Sequence, residues 1–292
     1  MMTALNDEFA KRYMATLLAP LGQVETSWQA IGEEEHIVVW TIAGSKQDKQ
    51  MQELFGDKRP DFSEYSGQDK FARDLLSSLL VPHEVTIDPQ DRLRELDVCF
   101  SPGERSLEAP ELLGWLGKMA SGACAFQFFW HSPDAMEINE CLANLFTWFN
   151  ELERKASDEG NDLDEEDLPI LWIVIPSASL WMLKGFSAEL EKDWPEGIYF
   201  MAPGIKTAIA VVNQLPPYPE TLWLRVLGNG QTQAEAVREV VDLPQDNRLR
   251  NSVLSILADW HTSLQNEKDL TDEDRELMGN LYPAYLSCQK QI

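Results

Sequence analysis

The chain opens on an apolar stripe with helical spacing. Phe9, Tyr13, Leu17 and Leu18 share one face before Pro20-Leu21-Gly22 ends the run. The period then shortens. Val24–Trp28 and Ile37–Ile42 are rich in β-branched and aromatic residues and read as strands. Residues 43–68 are polar and weakly patterned, a connection with one short helix around Met51–Phe55. The opening unit then recurs. Asp69-Lys70-Phe71-Ala72-Arg73 echoes Asp7-Glu8-Phe9-Ala10-Lys11, and Leu79-Leu80-Val81-Pro82 echoes Leu17-Leu18-Ala19-Pro20. Strands are expected again at Glu84–Ile87 and Leu96–Phe100. A duplication and two unrelated amphipathic helices both account for this echo.

Downstream, Pro110–Ala120 reads as a helix and Ala123–Trp130 as a strongly apolar strand. Ser132 suits an N-cap and Pro133 a first turn, opening a long helix with Ile138, Leu142, Leu145, Phe146 and Phe149 on its apolar face. Leu171–Ile175 is an unbroken apolar run, as a strand buried on both faces requires. Gly197–Met201 and Thr207–Val212 are further strands. From Thr221 the pattern is helical only: Thr221–Leu227, Gln231–Val241, Asn247–Leu264 and Asp272–Cys288. Thr271 and Asp274 make a capping arrangement before the last of these. The expected fold is α/β: a mixed central sheet of about five strands flanked by helices. An N-terminal partial repeat and a C-terminal all-helical subdomain complete it, with divisions at 1–68, 69–220 and 221–292.

Composition narrows the function. The 292 residues carry 24 Lys+Arg against 49 Asp+Glu, a net charge of −25. That balance argues against holding nucleic acid or an anionic membrane surface by general electrostatics. Ten Trp, twelve Phe and six Tyr supply enough apolar surface for a packed core. No apolar run is long enough to span a bilayer, and the first residues lack the basic and apolar regions of a signal peptide. Cys99, Cys124, Cys141 and Cys288 form no CxxC pair and no zinc spacing. A reducing, cytoplasmic setting is the expectation.

Most candidate motifs fail on inspection. Residues 157–167 hold seven carboxylates and no base, yet no register gives the Gly and Glu of an EF-hand, so the run reads as a solvated loop. Gly204-Ile205-Lys206-Thr207 lacks the first glycine of a phosphate loop and interposes Ile before Lys. His36, His83, His131 and His261 are scattered. One position stands out. Strand alternation puts Glu95, Asp97 and Cys99 on one face and Leu96, Val98 and Phe100 on the other. A mid-strand carboxylate among apolar neighbours needs a hydrogen bond, an ion pair or a metal. A structural role, as a cap or in a pair with a basic residue, is weighed beside a metal-binding one.

The order helix, strand, strand with Asp97, helix, strand 123–130, helix 133–155, strand 171–175 resembles the PD-(D/E)XK nuclease-like, or restriction-endonuclease-like, core. Several phrases resemble a family of uncharacterised cyanobacterial proteins, some of them similar to recombination-promoting nucleases and putative transposases. These are Asp7–Leu18, Pro20-Leu21-Gly22, Leu96-Asp97-Val98, Leu112–Ala120, Glu137–Leu145, Leu168–Ser179, Gln214–Pro217, Glu220–Gly228, Asp272–Leu277 and Leu281-Tyr282-Pro283. The resemblance implies a metal-binding Asp on the second strand, a Glu on the third, and a nearby Lys or Arg, with Mg²⁺ or Mn²⁺ activating water. Asp97 matches. Gln127 stands where Glu is expected, and the basic position falls on Phe129 or Trp130. Glu95 or Glu84 could supply a second carboxylate. The expectation is a catalytically degenerate nuclease-like protein that acts through a protein partner or as a homo-oligomer. The alternatives are a Mg²⁺- or Mn²⁺-dependent nuclease with a migrated site, using Asp97, Glu95 and Glu84, and an interaction scaffold without nuclease ancestry.

Overall fold

A computed structural model describes residues 2–29, 95–102, 110–268 and 270–290, all within one compact unit. The strands expected at 37–42 and 84–87, the helix at 51–55, the second echo at 69–82 and the boundary at 68/69 lie outside the described residues.

The fold is α/β, with a mixed sheet between helices and a C-terminal helical region. Helix α1 (Met2–Leu18) leads into β1 (Gly22–Gln29), which pairs antiparallel with β2 (Glu95–Pro102). After a 3₁₀ turn, α2 (Trp115–Met119) precedes β3 (Cys124–Phe128), and α3 (Ala135–Asp158) crosses to β4 (Ile170–Ile175). Helix α4 (Leu180–Gly185), β5 (Glu189–Leu190), β6 (Ile198–Phe200) and β7 (Thr207–Val211) follow. Helices α5 (Leu222–Arg225), α6 (Gly230–Asp242), α7 (Arg250–Gln265) and α8 (Asp272–Gln289) close the chain. Among the described residues the sheet has seven strands in the order β1-β2-β3-β4-β7-β6-β5. Strands β3, β4 and β7 run parallel at its centre, and the strands on either side are antiparallel.

Strand period explains the two apolar layers. In β4, Leu171, Ile173 and Ile175 pack with Ile138, Cys141, Leu142 and Leu145 of α3 and Met182 of α4. Trp172 and Val174 face the other way, toward Leu116 and Met119 of α2 and the C-terminal helices. The Trp172 indole N–H donates to the Met119 carbonyl at 3.2 Å, so a large ring is buried without an orphaned donor. Full burial of such side chains stabilises the fold by about 1.5–3 kcal/mol each. Helix α1 joins this second layer. Phe9 stacks on Trp260 of α7, with ring centroids 3.7 Å apart, and the Tyr13 hydroxyl donates to the Trp223 carbonyl at 2.8 Å.

Three local expectations need correction, and two short elements had none. The long helix starts at Ala135, later than Ser132 and Pro133 suggest. Asp134 is the N-cap: its carboxylate accepts from the Met136 and Glu137 N–H groups, and Glu137 reaches back to the Asp134 N–H at 2.8 Å. That reciprocal box outcompetes a serine cap. The stretch 110–120 is two pieces, because Gly114 takes φ 55° and ψ −125° and breaks the helix. A Cβ there would lie 2.3 Å from the Glu220 carbonyl oxygen, so the close approach of the Glu220 backbone requires glycine. Leu96 joins the cluster of Cys99 rather than that of Val98 and Phe100; it lies beyond the last β2–β3 pair, Val98 with Phe126, where β2 is paired to β1 alone. Strand β5 and helix α4 had no expectation at all; both are too short to show a period.

Candidate functional site

Asp97 lies where the β2–β3 ladder ends. Continuing the register past Val98–Phe126 sets Asp97 opposite Gln127. The Gln127 amide Nε2 donates to Asp97 Oδ2 at 2.7 Å, and the Phe128 backbone N–H donates to the same oxygen at 2.9 Å. The Lys11 ammonium, from α1, sits 3.3 Å from Asp97 Oδ1. Both carboxylate oxygens are therefore engaged, and the Asp97 side chain is only 10% exposed. Three elements converge on one group: the first helix, the second strand and the third strand.

The electrostatics follow from this packing. Burial pushes the Asp97 carboxyl up from 3.8 to about 6. The Phe128 N–H and the Lys11 charge pull against it, and Asp7, one turn before Lys11 on α1, adds a further push upward. Burial also raises the thiols of Cys99, Cys124 and Cys141, which behave as small apolar groups. Gln127 uses only its donor end here: its Oε1 is buried with no hydrogen-bond partner among the described residues.

The expected site residues separate accordingly. Asp97 and Gln127 are brought together. Glu95 opens β2, and Glu84 lies outside the described residues. Phe129 and Trp130, at the expected basic position, are packing residues: Phe129 joins the α3 layer, and the Trp130 ring lies 5.5 Å from Trp260. The basic group arrives instead from Lys11. Sequence reasoning missed it by looking for a base along β3. The Asp7–Lys11 pair at one-turn spacing, beside the buried Phe9, Ala10, Tyr13 and Met14, was the available signal.

These residues do not fit a hard divalent cation, which needs several anionic or neutral oxygen donors. Asp97 offers one carboxylate, with two donors on Oδ2 and the Lys11 ammonium beside Oδ1. Gln127 turns N–H toward it, and the Lys11 ammonium is paired with its other oxygen. Among the described residues, no group of three or more His, Cys, Asp or Glu side chains is placed to hold a metal. No helix among them is long and apolar enough to cross a membrane.

Comparison with protein-family models, with curated proteins and with solved structures found no match.

Proposed function

We propose that this chain is a catalytically degenerate nuclease-like protein that works through protein contacts. The order α1, β1, β2 with Asp97, β3 with Gln127, α3 and β4, with β3 and β4 parallel, supports the resemblance to the PD-(D/E)XK core. The observation that carries the degenerate reading is the Gln127–Asp97 hydrogen bond at 2.7 Å. A metal-binding glutamate has become a hydrogen-bond donor to its former co-ligand. The carboxylate that would hold the ion now ties α1 to the sheet through Lys11. The net charge of −25 adds to the case against a polyanionic substrate.

A second reading has one observation in its favour. Helix α1 carries both Lys11 and the carboxylate of Asp7 toward Asp97, which gives a migrated metal site a base and a second acid. Plasmid-nicking and single-strand cleavage assays in Mg²⁺ or Mn²⁺ separate the two. The degenerate reading expects no cleavage above that of an Asp97→Asn variant. Cleavage that disappears in that variant would establish the metal-dependent reading.

A further inference from the structure

The sequence holds a single Asn-Gly step, Asn229-Gly230, and the structure sets it where the C-terminal helices meet the end of β7. Asn213, in the 3₁₀ turn Val212–Gln214 that follows β7, meets it from the sheet side. The Asn213 amide Nδ2 donates to Asn229 Oδ1, and Asn213 Oδ1 accepts from the Asn229 backbone N–H at 3.2 Å. The approach is close. A Cβ on residue 228 would lie 2.8 Å from Asn213 Oδ1 and 3.1 Å from the Arg225 carbonyl oxygen, so the contact requires Gly228. Gly230, on the other side, takes φ 54°, a conformation that side chains rarely adopt.

Asn229 is exposed and occupies the N-cap position of α6, with φ −131° and ψ 176°, yet its side chain caps nothing. An N-cap asparagine ordinarily turns its oxygen onto the first N–H groups of the helix. Here Asn213 holds that oxygen instead. Two consequences follow for the Asn229 amide. Its carbonyl carbon is activated, because a donor on Oδ1 opposes the negative charge that develops there when a nucleophile adds to Cγ. A nucleophile is also at hand. Gly230 is the first residue of α6, so its backbone nitrogen has no intrahelical partner, and it carries no side chain to shield that nitrogen. Rotation about the Asn229 Cα–C bond brings the nitrogen onto Cγ and closes a five-membered ring.

We infer that Asn229-Gly230 is a self-modification site, where Asn213 assists loss of the Asn229 amide nitrogen as ammonia. Water takes the Gly230 amide proton, the nitrogen bonds to Asn229 Cγ, and the carbonyl electron pair moves onto Oδ1, against the Asn213 N–H. The pair returns, the Cγ–Nδ2 bond breaks, and Nδ2 leaves as ammonia with a proton from water. A second water opens the resulting succinimide. Cleavage of the new N–Cγ bond gives aspartate; cleavage of the original peptide bond gives isoaspartate, with the main chain running through Cγ. Either product sets a carboxylate at the α6 N-terminus, where the helix dipole favours it, and isoaspartate also lengthens the main chain there. The site is separate from Lys11, Asp97 and Gln127.

The test incubates the purified full chain at mildly alkaline pH, then follows its peptides by mass spectrometry and scores isoaspartate with an isoaspartyl methyltransferase. Asn161, exposed and followed by Asp162, is the internal control. Asn229 should convert at least about tenfold faster than Asn161. Asn213→Asp keeps an oxygen for the Asn229 N–H and removes the donor to Oδ1. It should slow conversion at Asn229 at least about fivefold and leave Asn161 unchanged. Wild-type protein unfolded in guanidinium chloride has lost the Asn213 contact and should react more slowly at Asn229 than the folded protein, a comparison that stands even where the variant fails to fold. An Asn229 amide as durable as that of Asn161, a rate indifferent to Asn213→Asp, or a rate in the unfolded chain equal to or above the folded one would overturn the inference. None of these outcomes bears on the Asp97 reading.

Discussion

Asp97→Asn keeps the shape of the side chain and removes its charge, so it isolates the electrostatic cost of this site. The wild-type carboxyl is raised from 3.8 to about 6 in the folded protein, with burial as the largest cause. Between those values the native state binds more protons than the unfolded chain, so its stability falls as pH rises. The favourable contribution is fully present below 3.8 and lost as pH climbs through about 6. A rise of that size is worth about 3 kcal/mol. Many other carboxylates titrate over the same range, so the wild-type curve alone is uninformative. The difference between variant and wild type removes them. Urea unfolding followed by circular dichroism should show that difference drifting by about 3 kcal/mol in the variant's favour between about pH 3.5 and pH 7.5. A flat difference would refute the argument. A drift in the opposite direction would mean that Lys11 and the Phe128 N–H outweigh burial.

Other perturbations probe neighbouring parts of the same account. Gln127→Glu sets a second carboxylate against Asp97; it should cost about 2–4 kcal/mol at pH 8 and less at pH 5, with Mn²⁺ recovering part of the loss, whereas a neutral effect on urea unfolding would contradict the contact. Gly114→Ala forces a Cβ into the Glu220 backbone at positive φ, so a loss of more than about 3 kcal/mol, or failure to fold, is expected, and a midpoint within error of wild type would show that the approach is not close. Asp134→Ala removes the α3 cap and should lower stability by about 1 kcal/mol; an unchanged unfolding midpoint would place the cap elsewhere. Glu239→Ala leaves the fully buried Arg225 guanidinium, which it meets at 2.6 Å and 2.9 Å, without a counter-charge and should cost about 3–5 kcal/mol by thermal or urea unfolding, with an unchanged midpoint contradicting the pair; the carboxylate that truncation of Arg225 leaves is 40% exposed and open to water.

Much of the architecture was readable from the chain. Leu171–Ile175 announced a strand buried on both faces by unbroken apolarity, Thr207–Val212 read as a further strand, and Thr271 with Asp274 announced the last helix by a cap that depends on local chemistry alone. The start of α3 was misplaced because Ser132, Pro133 and Asp134 are all good helix openers, and only the reach of Glu137 decides among them. The break at Gly114 was illegible because its cause, the Glu220 backbone, lies far away in sequence. At the site, the anomaly of Asp97 was visible as a carboxylate in an apolar strand. Its solution was not, since strand register and the position of α1 are tertiary facts. Gln127 was singled out, but its contact with Asp97 follows from the antiparallel pairing of β2 and β3, which periodicity does not encode. Lys11 was hidden for the same reason: the ion pair crosses from a helix to a strand.

The most direct test of the central claim is calorimetric titration of Mg²⁺ and Mn²⁺ into the purified protein beside Asp97→Asn. With Asp97 held by Gln127, Phe128 and Lys11, the two proteins should give the same heats. Saturable binding in the wild type that vanishes in Asp97→Asn would contradict the degenerate reading and establish a working metal site.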